Sequence, residues 1–281
     1  MLSAASSLPG PVVSVADLAA LVAAGPVTLL DVRWALGATD GRQQHEAGHL
    51  PGASYVDMDE VLADHTALEG GRHPLPDRDL FGAFMRALGV RADVPVVCYD
   101  DVGGTSAARA WWLLRHHGHE SVAVLDGGFS AWVAAGQPVE TGPAPEIEPG
   151  DFEPVPGAMP VVEPDDLLDG RVVLDARPGE RFRGEVEPVD PVAGHVPGAR
   201  SAPAVENLDG EKRLRPLEEL RETYAALGAL GDDEVAVYCG SGITAAHDVL
   251  VLEALGRTAA LYPGSWSHWV TDPDRPVEVG P

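Results

Sequence analysis

The sequence predicts an α/β protein in which one domain plan is used twice, each copy a mostly parallel sheet flanked by helices. Three observations carry this. A set of motifs recurs in the same order in the two halves, short Val-rich runs alternate with segments of helical period, and a proline-rich stretch separates the halves. The first half reads VTLLDVR at 27–33, GHLPGA at 48–53, VVCYD at 96–100, TSAA at 105–108 and LDGGFSAW at 125–132. The second reads RVVLDAR at 171–177, GHVPGA at 194–199, VAVYC at 235–239, TAA at 244–246 and YPGSWSHW at 262–269. Single matches of this length arise by chance, but five in register point to duplication.

The runs VTLLDV, PVVCY, RVVLDA and VAVYC are short and apolar, as strands covered on both faces are. DLAALVAA, LFGAFMRALG, SAARAWWLLRHHG, LEELRETYAALGAL and AAHDVLVLEALG carry helical periodicity, and Gly89, Gly118 and Gly256 stand where helices end on glycine. Residues 138–160 hold seven prolines and three glycines. Proline lacks an amide donor and fixes φ, so this stretch reads as an extended connection, laid over the surface of one domain. The division expected is residues 1–140, a linker at 141–160, and residues 161–281.

Bulk properties narrow the function. With 19 basic and 44 acidic residues, the formal charge of −25 repels nucleic acid and anionic membrane. No uninterrupted apolar stretch approaches the roughly 18 residues of a membrane span. Residues 1–15 lack the basic start and apolar core of a signal peptide, so a cytoplasmic location is expected. The two cysteines, Cys98 and Cys239, do not make a disulfide framework, and no Cys/His cluster has metal-ligand spacing. HGH at 117–119 lacks a suitably spaced carboxylate. No metal or organic cofactor is expected.

The chemistry concentrates at VAVYC-GSGIT-AAHDVLVLEALG, a strand, a loop and a helix. Cys239 ends the strand, and Gly240 and Gly242 permit backbone angles that turn amides inward. The positive end of the following helix adds to them. Both effects favour thiolate over thiol, and both suit a persulfide or an incoming sulfur oxyanion. Ser241 and Thr244 can donate hydroxyl hydrogen bonds into the same pocket. A cysteine phosphatase would close such a loop with an arginine six positions on, where this chain has Ala245. The other half ends its strand in Asp100, which cannot be a thiol nucleophile. Cys98, inside a strand, is expected to pack in the core.

Duplicated residues are expected to be structural. Asp31 with Arg33 and Asp175 with Arg177 end the first strand of each half, and His49 and His195 open the GH-PGA turns. Trp111 and Trp112 belong to a core helix. Trp266 and Trp269 are expected near the site edge, and His268 on the surface. His247, just after the loop, faces either the site or solvent.

These motifs, with RFRG at 181–184, resemble the two-domain sulfurtransferases of the rhodanese family, over residues 12–277. The resemblance implies an inactive N-terminal domain, an active C-terminal one, and a ping-pong reaction through a Cys239 persulfide. The implied partners are a small anionic sulfur donor and a thiol, cyanide or thioredoxin-like acceptor. Within the family the uncharged Gly240–Ser241–Gly242, followed by Ile243 and Thr244, is similar to loops that take 3-mercaptopyruvate. Thiosulfate enzymes more often place basic side chains there. Arg181 matches a substrate-binding arginine, Ser241 a serine beside the cysteine, and His73 and Asp59 the histidine and aspartate of a triad. One departure stands out. Val189 in Glu187-Pro188-Val189 replaces an arginine that holds the mercaptopyruvate carboxylate, so either another arginine, such as Arg183 or Arg200, supplies the charge, or the preferred donor is different, with thiosulfate the alternative. A third reading is a binding or regulatory module that has the fold without the chemistry.

Overall fold

The structure, a computed structural model, describes residues 8–67, 69–143 and 146–281. Residues 1–7, part of the stretch read for a targeting signal, and linker residues 144–145 lie outside the described residues. The chain folds into two compact units. One holds the described residues up to Leu62 with Pro76–Ala158, and the other holds Ala63–Leu75 with Met159–Pro281. Segment 63–75, placed by sequence position in the first domain, thus packs with the second.

In the first unit, strands β1 (Val12–Val13), β2 (Thr28–Asp31), β3 (Ser54–Tyr55), β4 (Val96–Tyr99) and β5 (Val122–Leu125) form an all-parallel sheet in the order β1-β5-β4-β2-β3. Helices α1 (Val15–Ala24), α2 (Gly41–Ala47), α3 (Met58–Val61), α4 (Arg78–Ala87), α5 (Ala107–His116) and α6 (Gly128–Ala134) connect and follow the strands. Helix α1 begins with a reciprocal cap, the Asp17 amide donating to Ser14 Oγ and the Ser14 amide to Asp17 Oδ2, each at 3.1 Å. The core gathers Leu29, Leu50, Val97, Tyr99, Leu125 and Trp132. The proline-rich stretch is held to this unit by main-chain bonds from Gly150 to Arg86, Phe152 to Val90 and Val155 to His117.

The second unit repeats the plan. Strands β6 (Val172–Asp175), β7 (Arg200–Ser201), β8 (Val235–Tyr238) and β9 (Ala260–Leu261) run parallel in the order β7-β6-β8-β9. A parallel bridge from Val161 to Leu261 takes the place that β1 has in the first sheet. Its helices are α7 (Gly179–Phe182), α8 (Leu217–Ala226), α9 (Ala245–Ala254) and α10 (Ser265–Trp269). Trp266 and Trp269 are buried in the core with Tyr238, Tyr262 and Phe182. Among the described residues, no helix is long and apolar enough to cross a membrane.

The duplicated charges have a structural task in both units. Arg33 Nη2 donates to Gly48 O at 2.7 Å, and Arg177 Nη2 to Gly194 O at 2.6 Å. Each guanidinium also pairs with the strand-end aspartate, Asp31 or Asp175. The arginine therefore ties the GH-PGA turn to the sheet. Burial pulls the Arg177 guanidinium down, but Asp175 and then Glu187 outweigh it and the net shift is up, so the charge is permanent. His49 and His195 are buried, each ring Nδ1 on a main-chain oxygen, His45 O at 2.8 Å and Phe182 O at 2.7 Å.

Candidate active site

The second unit places Cys239 directly after β8, where the chain turns into a loop before α9. The turn is fastened at both peptide groups. The Cys239 amide donates to Ser265 Oγ at 3.0 Å, and its carbonyl accepts from the Trp266 amide at 2.9 Å. The Gly242 amide points back at the sulfur, with N to Sγ at 3.2 Å. This needs glycine, because φ is +79° there and an added Cβ would fall 2.2 Å from Pro263 O. Ser265 Oγ lies 4.0 Å from the sulfur and also donates to Tyr262 O at 2.9 Å. Ser265 holds φ at 54°, uncommon for a residue with a Cβ. Its counterpart in the first unit, Gly128, has φ 56°, so the second unit keeps a hydroxyl where the fold would accept glycine.

Cys239 is 2 % exposed, with the Gly242 amide and Ser265 Oγ beside its sulfur. Cys98 differs. It lies within β4 at 0 % exposure, and burial, then the nearby Asp100, push its thiol well above the ordinary range. It is a core residue.

Around Cys239 the expected residues divide. Ser241 is buried, and its Oγ lies 2.7 Å from Nδ1 of His73, also buried. His73 reaches it because segment 63–75 belongs to this unit. The ring of His65, which sequence reasoning passed over, meets His73 edge-on at 5.8 Å between centroids. Arg181 sits at the end of α7. Its Nε and Nη2 donate to Glu187 at 3.1 and 2.7 Å, and Nη2 also meets Asp190 Oδ2 at 3.1 Å. Burial pushes the Glu187 carboxyl up, but hydrogen bonds from Arg181 and from the Asp190 and Val189 amides outweigh it and the net shift is down. Gly240 faces Arg181, since a Cβ built on it would lie 3.5 Å from Nη1. Ile243 is buried, and Thr244 opens α9.

Other residues singled out in the sequence are placed as follows. Arg183 pairs with Glu185 at 2.8 Å, and Arg200 bonds to Leu227 O. The guanidiniums nearest a Cβ built on Gly240 are those of Arg72 and Arg181. Arg72 was missed, although it directly precedes His73. Asp59 lies between Asp57 and Glu60. It belongs to the first unit, exposed in the opening turn of α3, where its amide donates to Asp57 and its side chain borders a cleft of about 250 Å3. His247 does not face solvent, being 1 % exposed beside the buried Asp248. His268, read as a surface residue, is half-buried with Nδ1 at 3.0 Å from Tyr262 OH, and burial lowers its pKa.

Comparison with known proteins identifies the family. The rhodanese-like domain pattern matches residues 14–135 and again 163–272. The chain belongs to the rhodanese family. It is 43 % identical to SseB of Mycobacterium tuberculosis, a protein named as a thiosulfate sulfurtransferase, over 95 % of this chain and 96 % of that one. It is 37 % identical to the 3-mercaptopyruvate sulfurtransferase of Escherichia coli K12, over 90 % of this chain and 92 % of that one. Among solved structures, SseA of Escherichia coli, titled as a 3-mercaptopyruvate enzyme, superposes with a TM-score of 0.81 at 34 % identity, covering 92 % of this chain and 99 % of that one. This rhodanese is a two-domain sulfurtransferase working through a cysteine persulfide, with small sulfur donors and acceptors as substrates. The relatives' names divide between two donors.

Proposed function

We propose that Cys239 carries the sulfur and that 3-mercaptopyruvate is the preferred donor. The observation that carries this reading is the 2.7 Å contact between Ser241 Oγ and His73 Nδ1 beside the cysteine loop. The Cys239 thiolate attacks the donor sulfur. The carbon–sulfur bond breaks, its electron pair passes to carbon, and the enolate of pyruvate leaves a Cys239 persulfide. Proton balance separates the donors. The donor's thiol proton must move from sulfur to the methylene carbon to give pyruvate, and the Ser241–His73 pair offers a carrier for it. Thiosulfate needs no such transfer, because sulfite departs with the electron pair alone. In the second half-reaction cyanide or a thiolate, free or on a thioredoxin-like protein, attacks the outer sulfur and regenerates the Cys239 thiolate. The Gly242 amide faces the charge that collects on sulfur, while Ser265, its proton committed to Tyr262 O, holds the Cys239 amide in place.

Thiosulfate is the second reading, favoured by the guanidiniums of Arg72 and Arg181 next to Gly240, which suit a compact dianion. One comparison separates the two. In wild type, kcat/KM for 3-mercaptopyruvate should exceed that for thiosulfate with a common acceptor. Ser241→Ala should lower kcat with 3-mercaptopyruvate by about a hundredfold, within the range of acid–base catalysis, and leave the thiosulfate rate within about threefold. Equal losses with both donors would remove the proton-carrier role.

A further inference from the structure

Val189 stands where the resemblance puts an arginine for the donor's carboxylate, and another guanidinium, that of Arg72, lies beside the cysteine loop. Arg72 lies in segment 63–75, which packs in the second unit. Its backbone is pinned there, the Arg72 amide donating to Ser267 Oγ at 2.9 Å. The Ser267 amide in turn donates to Gly240 O at 2.9 Å, so one serine fastens the cysteine loop and the arginine segment together. A Cβ built on Gly240 would lie 3.2 Å from Arg72 Nη2 and 3.5 Å from Arg181 Nη1. Two guanidiniums therefore converge on the residue after the nucleophile.

Asp190, nearly buried, divides its carboxylate between them, Oδ1 at 2.7 Å from Arg72 Nη1 and Oδ2 at 3.1 Å from Arg181 Nη2. That bond uses only Nη1 of Arg72. Nη2 is turned to the loop, and Nε is buried with no hydrogen-bond partner among the described residues. Hydrogen-bonding capacity is thus left over on the side facing Gly240. Arg72 also borders a surface cleft of about 540 Å3 with Asp190, Ser267 and His268. Its side chain, 28 % exposed, stands between that opening and the loop.

We infer that Arg72 is a substrate-binding residue, supplying with Arg181 the second guanidinium that holds the anionic end of the sulfur donor. For a 2-oxo acid donor, a case that rests on the function proposed above, that end is the carboxylate. Valine at 189 cannot donate to it, and a guanidinium arriving from segment 63–75 restores the paired cations.

The test measures KM and kcat for both donors in Arg72→Ala, Arg72→Lys and, as a distant control, Arg183→Ala. Arg72→Ala should raise KM for the donor that wild type prefers by about tenfold with kcat within about twofold, the pattern of lost uniform binding. Arg72→Lys should recover part of the loss, and Arg183→Ala should show none. Binding of pyruvate to Cys239→Ser, with and without Arg72→Ala, reads the same site without turnover, and a rise in Kd of similar size is expected if the donor is 3-mercaptopyruvate. An Arg72→Ala enzyme with unchanged KM for both donors would overturn the inference. If wild type prefers thiosulfate and Arg72→Ala raises the thiosulfate KM, the role of Arg72 stands and the choice of donor fails.

Discussion

The loop after β4 and the loop after β8 occupy the same place in two copies of one fold and meet different fates. In the first, Asp100 follows the strand and is fully buried. Its Oδ1 accepts the Val102 and Gly104 amides at 2.9 and 2.8 Å, and its Oδ2 the Ser106 and Ala107 amides, each at 2.9 Å. Burial pushes this carboxyl up, with the four amides opposing. In the second loop the same position is Cys239, whose sulfur takes the Gly242 amide. The surrounding frame is shared, for Phe129 donates to Asp100 O and Trp266 to Cys239 O, both at 2.9 Å. The contrast teaches that an amide-lined turn is not by itself a site. A carboxylate fills the turn with its own oxygens and takes four amides, whereas the sulfur in the other copy takes the Gly242 amide.

The sharpest way to break that comparison is at the nucleophile. Cys239→Ser should reduce sulfur transfer to background and abolish the gain of about 32 Da that a persulfide gives on incubation with donor. Retained transfer would end the assignment, and a wild-type protein that gains no mass would support a binding module. Next in size, Asp100→Ala should cost about 4 kcal/mol of stability in denaturant unfolding, because it strands four buried amides. The folded fraction should still load Cys239. If stability were unchanged, Asp100 would not be the internal ligand of its loop. Smallest of all, Cys98→Ser should leave turnover within about twofold. A large loss would mean that the buried thiol of the first half takes part after all.

The duplication, the Val-rich strands and the Asp100/Cys239 register were legible because each is written in contiguous residues whose periodicity or turn chemistry is local. The edge strands Ser54–Tyr55 and Arg200–Ser201 were not, being two residues long and set by pairing with β2 and β6. Arg183 and Arg200 looked like replacements for the lost arginine only because they are near Val189 in sequence. Arg72 was hidden by the opposite condition, a separation of more than a hundred residues from Gly240. Ser265 left a readable trace, since aligning GGFSAW with GSWSHW sets serine against Gly128. What that alignment could not show was the left-handed backbone, which turns the serine hydroxyl to Cys239.

Segment 63–75 has a consequence for how the duplicated gene can be divided. A fragment beginning at Met159 would carry the thiol, Ser241 and Arg181 but would lack both the imidazole of His73 and the guanidinium of Arg72. The copies are therefore not interchangeable modules. The chain between residues 63 and 75 completes the second unit, so a cut between the two halves of the sequence is not a cut between the two folded units.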